Sequence, residues 1–82
     1  MAGKLTLRIF TPGTFREETA DAVLLPSALA PMELLPSHAA LTAALTEGEI
    51  RWREGERQES LPILSGAVSV ASDIVTLCVE TV

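Results

Sequence analysis

Few residues in this chain could do chemistry. The single histidine, His38, directly follows Ser37, the single cysteine, Cys78, lies in the apolar run IVTLCVETV, and Glu17, Glu18 and Asp21 follow a Pro-Gly turn. A serine and a histidine could form a nucleophile and its base for acyl transfer. Their side chains must converge for that, and adjacent positions of an extended segment point to opposite sides. One His and one Cys fall short of the roughly three or four ligands a zinc site needs. The consecutive carboxylates could supply an acid and a base, yet beside a turn they read more simply as a solvated edge. There is no glycine-rich phosphate loop and no repeat of solenoid length. The expectation is therefore no catalytic residue, no metal and no cofactor, which leaves His38 as a packing or contact residue.

The elements that would position these groups follow from composition and periodicity. The 82 residues suffice for one domain, of a size that buries only part of its unfolded surface. Hydrophobic residues are 48% of the chain and aromatic ones 4%, so the core is aliphatic, with Phe10, Phe15 and Trp52 the only large rings. That apolar content excludes a disordered chain. Every apolar run is interrupted well short of the roughly 18 residues of a membrane span, so a domain soluble in isolation is expected. The opening MAGKLTLRIF lacks the apolar region and cleavage site of a secretory signal. Cys78 reads as a small buried hydrophobe, and a lone thiol suits a reducing, cytosolic compartment. Eleven acids against six bases give a net charge of −5, which opposes binding to nucleic acid. Arg51, Arg53 and Arg57 sit among five glutamates, as on a solvated hairpin with cross-strand charge pairs.

The segment KLTLRIFT alternates, placing Leu5, Leu7 and Ile9 on one face and Thr6, Arg8 and Phe10 on the other. Thr11-Pro12-Gly13-Thr14 supplies a turn, and a short strand over 15–19 can return from it. Strands are expected at 22–25 and 32–35, closed by Pro26 and Pro36, with the SALAP loop at 27–31 between them. That loop carries Leu29, Ala30 and Pro31 where charge would be usual, and an apolar loop tip points to a contact. In EIRWR, Ile50 and Trp52 face opposite to Arg51 and Arg53, and Glu54-Gly55 turns the chain into a partner strand over 57–61. Further strands are expected at 62–64, 67–71 and 74–80, separated by Ser65-Gly66 and Ser72-Asp73; Val75 and Leu77 join Leu7, Ile9 and Trp52 in the core. One piece conflicts: AALTAALT, residues 39–46, has high helix propensity, with Ser37 able to cap it and Gly48 to end it. Short strands with turns throughout indicate an all-β chain, a sandwich or a barrel.

The order of these pieces, above all LLPSHAALTAALTEGEIRWR, resembles the N-terminal β-sandwich domain of the epsilon subunit of F-type ATP synthases. Leu35 to Arg51 is similar to that family's I-L-P-G-H-A-P-L-x-T-x-L-x-x-G-x-x-R pattern. The resemblance implies a two-sheet β-sandwich of about 8 to 10 short, mostly antiparallel strands, in which residues 39–45 are largely extended in spite of their helix propensity.

It further implies a non-catalytic subunit of the rotor stalk, one copy per assembly, linking the gamma subunit to the membrane c-ring and coupling proton or sodium flow to ATP synthesis. Such a subunit lies at the cytoplasmic face of the bacterial plasma membrane, peripheral to it. By the resemblance, Leu29, Ala30 and Pro31 face the c-ring, and Ser37 and His38 face gamma. Residues 1–82 would be the sandwich alone, without the C-terminal helical hairpin that carries inhibition in the family. Where the family has P-G-H, this chain has Pro36-Ser37-His38. Two readings remain beside this one: a free-standing β-sandwich that binds a peptide or small ligand, and a weak hydrolase whose turnover would need Ser37.

Overall fold

The computed structural model describes residues 3–27 and 30–81. Nine strands run through them: β1 (Leu5–Thr11), β2 (Thr14–Ala20), β3 (Ala22–Leu25), β4 (Met32–Leu34), β5 (Leu41–Leu45), β6 (Gly48–Glu54), β7 (Arg57–Ile63), β8 (Ser65–Ala71) and β9 (Ile74–Glu80). They form two sheets, a five-stranded one in the order β2-β1-β9-β8-β5 and a four-stranded one in the order β4-β3-β6-β7. All pairs are antiparallel except β1 with β9, which run side by side in the same direction. The two-sheet sandwich implied by the resemblance is the fold.

Alternation builds the core. Leu5, Leu7 and Ile9 from β1, Val68 and Val70 from β8, and Val75, Leu77 and Val79 from β9 face Val23, Leu25, Leu34, Ile50, Trp52 and Ile63 of the other sheet, and all are buried. The five core residues read from the sequence, Leu7, Ile9, Trp52, Val75 and Leu77, all lie inside, Trp52 with 3% of its surface left. No polar or charged side chain among the described residues is buried with them. Apolar burial is thus the main force holding the sheets face to face.

One local expectation holds against propensity and two are corrected. Residues 41–45 are strand, as the resemblance implies in spite of their helix propensity: they pair with Val70 to Gly66 of β8, and Leu45 is buried in the shared core. Sheet pairing and burial outweigh a local propensity of a few tenths of a kcal/mol per residue. Pro62 does not start a new strand but lies inside β7, paired with Glu49. β7 is an edge strand, where a residue without an N–H is tolerated. The chain then changes sheets at Leu64, whose N–H bonds the Glu80 carbonyl at 2.8 Å, and Ser65-Gly66 opens β8 instead of separating strands. Cys78 is exposed, not buried. Its neighbours Leu77 and Val79 take the inward phase of β9, so a period of two leaves Cys78 on the outer face.

Candidate interaction surface

The segment between β4 and β5 carries the Ser37-His38 pair. Leu35 is 48% exposed, and a turn closes behind it as the His38 N–H donates to the Leu35 carbonyl at 3.1 Å. Ser37 has φ of 69°, a left-handed conformation that costs a non-glycine residue roughly 1 kcal/mol or more. Its N–H donates to Asp73 Oδ1 at 2.6 Å. Asp73 sits in the two-residue turn joining β8 to β9, where Ser72 and Asp73 have φ of 51° and 62°. The Asp73 carbonyl accepts the Thr6 N–H of β1 at 2.9 Å. Asp73 therefore ties the His38 segment to the middle of the five-stranded sheet.

The half-buried His38 ring has Nδ1 2.8 Å from the Ala39 carbonyl. A carbonyl only accepts, so Nδ1 carries the proton, and Nε2 is an acceptor whenever the ring is neutral. The ring is thus engaged with the backbone and not with the Ser37 hydroxyl, which leaves no activated nucleophile at this pair. The arrangement suits recognition: a shaped loop with an apolar shoulder, Leu35, and one imidazole nitrogen to offer.

Leu29 of the apolar loop lies outside the described residues. Ala30 and Pro31 are exposed, and the Ser27 hydroxyl donates to the Ala30 carbonyl at 2.6 Å. Ser27 bridges to Leu45, and the Thr46 N–H donates to the Pro26 carbonyl at 3.2 Å, anchoring the base of the loop on the end of β5. Pro31 precedes and Leu35 follows the three-residue strand β4, so the two loops leave opposite ends of roughly 10 Å of extended backbone. They form two separate surfaces.

The acidic candidates are occupied. Glu17 pairs with Arg8 of β1 at 3.6 Å, and Glu18 with Arg16 of its own strand at 3.7 Å and Arg57 of β7 at 3.9 Å, so arginines sit beside both. Asp21 accepts the Gly55 N–H at 2.7 Å and the Lys4 ammonium at 2.9 Å. Those bonds, the Gly55 N–H first, hold its carboxyl below the usual range, and the Asp21 carboxylate in turn raises Lys4. Glu54 is also lowered, chiefly by the hydroxyl of Thr19 and then by Lys4. Carboxyls stabilised as anions do not serve as general acids near neutrality. Among the described residues, no group of three His, Cys, Asp or Glu is placed to hold a metal ion.

Two broader surfaces complete the molecule. On the outer face of the five-stranded sheet, the exposed rings of Phe10 and Phe15 lie 4.8 Å apart, with the Arg8 guanidinium 5.9 and 5.6 Å from their centres. On the outer face of the four-stranded sheet, an open groove of about 650 Å³ runs past Leu24, Glu33, Arg51, Arg53 and Gln58. Sequence reasoning missed the bond between Asp73 and Ser37. Asp73 stands far from Ser37 along the chain, and only the strand order brings the two together.

Comparison with known proteins gives a consistent pattern. A family described as "ATP synthase, Delta/Epsilon chain, beta-sandwich domain" matches residues 4–82. The chain is 37% identical over 78 residues to the ATP synthase epsilon chain of Synechococcus sp. strain CC9311, covering 94% of this chain and 58% of that protein. It is 37% identical over 82 residues to ATP synthase epsilon chain 2 of Syntrophotalea carbinolica, covering 99% of this chain and 59% of the relative. It therefore spans under two thirds of the length of these relatives. In the Euglena gracilis mitochondrial ATP synthase, described as OSCP/F1/c-ring in rotational state 1, one chain superposes with a TM-score of 0.87 at 19% identity, covering 93% of this chain and 50% of that one. A chain of the Tetrahymena thermophila mitochondrial ATP synthase, described as central stalk/c-ring, gives a TM-score of 0.78 at 15% identity over 96% of this chain and 65% of its own. These two structures share the fold.

Proposed function

Because the chain belongs to the family of the ATP synthase delta/epsilon chain β-sandwich domain, we propose that it is a non-catalytic part of the rotor stalk of an F-type ATP synthase. The observation that carries this reading is the family match along residues 4–82, joined to a fold shared with chains of F1/c-ring and central stalk/c-ring assemblies. The domain links the gamma subunit to the c-ring and couples proton or sodium flow to ATP synthesis. It works at the cytoplasmic face of a bacterial plasma membrane, held there through the complex. The His38 loop docks on gamma, and the loop bearing Leu29, Ala30 and Pro31 meets the c-ring. The exposed, anchored geometry of the first and the apolar character of the second support that division.

Reconstitution tests the reading. The chain is reconstituted in vesicles with the remaining subunits of an F-type ATP synthase, and proton-driven ATP synthesis is compared for the parent and for a Leu29→Asp, Ala30→Asp variant. An unpaired charge forced into a dry contact is strongly unfavourable, so the variant is expected to fold yet fail to couple. Equal coupling by both chains, or no association of the parent with gamma, overturns the assignment.

A further inference from the structure

We infer that Asp73 is a positioning residue for the His38 loop, holding it in its docking shape before any partner arrives; this rests on the proposal that the loop meets gamma. Four observations converge on it. Ser37 occupies φ of 69° without being glycine. Its N–H is taken by Asp73 Oδ1 at 2.6 Å. The turn carrying Asp73 is itself fixed, because the Asp73 carbonyl accepts the Thr6 N–H of β1 at 2.9 Å. The loop has little else to order it, since Leu35, Ser37, Ala39 and Ala40 are exposed and its one internal backbone bond is His38 N–H to the Leu35 carbonyl. Without the Asp73 acceptor, Ser37 would favour ordinary negative φ and the imidazole would leave its position. Ordering the loop in advance lowers the entropy lost on binding, so Asp73 acts on affinity without touching the partner. A glycine at position 37 would make the same φ accessible through conformational freedom, but would not hold the loop there.

Two substitutions separate the carboxylate from the turn. Asp73→Asn and Asp73→Gly both suit a positive φ, but only the first keeps a side-chain acceptor. Two quantities are read on the 82-residue chain: hydrogen exchange at the Ser37 amide, with the Val75 amide as a control, and affinity for the cognate gamma subunit. Asp73→Asn, which keeps an acceptor but not its charge, is expected to fall between the parent and Asp73→Gly in both. Asp73→Gly is expected to speed Ser37 exchange and weaken gamma binding by roughly five- to tenfold each, the size of one net hydrogen bond, while Val75 exchange stays unchanged. Adding Ser37→Gly to Asp73→Gly is expected to restore part of the affinity. Unchanged Ser37 exchange in Asp73→Gly overturns the inference, as does unchanged gamma affinity in that variant when the parent binds. A parent that does not bind gamma instead overturns the docking proposal, and the exchange measurement still decides whether Asp73 orders the loop.

Discussion

The guanidinium of Arg16, on the edge strand of the five-stranded sheet, stands 5.4 Å from the centre of the Trp52 ring, which belongs to the opposite sheet. The same guanidinium reaches Glu18 at 3.7 Å and Glu59 at 3.5 Å, and Arg57 pairs with Glu59 at 2.7 Å. Charges from β2 and β7 thus cover the side of the sandwich where its largest ring would otherwise meet water. Each exposed pair is worth little alone. Their combined effect is to cover Trp52 while remaining solvated themselves.

Replacing Trp52 with Ala is expected to cost about 3–5 kcal/mol, a large share of what so small a domain has. Denaturant unfolding followed by far-ultraviolet circular dichroism measures it. A loss below about 1 kcal/mol would show that the cavity collapses without penalty.

Arg16→Ala separates the cover from the core. Loss of one exposed cation over a ring is expected to cost no more than about 1 kcal/mol. Trp52 emission in the folded state should nevertheless move to longer wavelength as water gains access. An unchanged spectrum would mean that Arg16 does not shield the ring.

Gly66 is required by space. A Cβ there would lie 2.7 Å from the Cys78 carbonyl oxygen and 2.7 Å from Val79 Cγ1, the first of which is backbone and cannot rotate away. Gly66→Ala is expected to destabilise by about 1–3 kcal/mol through forced separation of β8 from β9. Gly3→Ala, where a Cβ meets nothing within 4 Å, serves as the neutral control. Thermal unfolding of the two variants side by side checks the contrast.

The Asp21 carboxyl sets an acid dependence. Its folded pKa lies below its ordinary value because it accepts the Gly55 N–H and the Lys4 ammonium. The stabilisation is therefore fully present above the ordinary carboxylate range and lost as pH falls through the depressed folded value. Asp21→Asn is expected to melt below the parent at neutral pH, with the gap narrowing as pH drops below about 4. A gap independent of pH would show that the charge of Asp21 contributes nothing.

Much of this was legible in the chain because a sandwich writes its faces as alternation. Leu7, Ile9, Trp52, Val75 and Leu77 declare themselves buried by phase alone. Cys78 was misread because its apolar neighbours suggested a continuous run, whereas strict alternation puts it outside. Residues 41–45 could be read as extended only through the family resemblance: their local preference is helical, and it is pairing with β8 that makes them a strand. The bond from Ser37 to Asp73 could not be read at all, since it depends on the β8–β9 turn packing beside a loop from much earlier in the chain.

The parallel pairing of β1 with β9 makes synthesis order matter. Thr6 is opposite Ile74 and Phe10 opposite Cys78, so the first of the nine described strands lies against the ninth. While the chain leaves the ribosome, Leu5, Leu7 and Ile9 wait beside an empty slot at the centre of their sheet, and the β1–β2 hairpin alone cannot bury them. Such long-range closure favours slow, all-or-none folding once β9 has emerged, with an interval before it in which a sticky strand edge is open to chaperones or to neighbouring nascent chains.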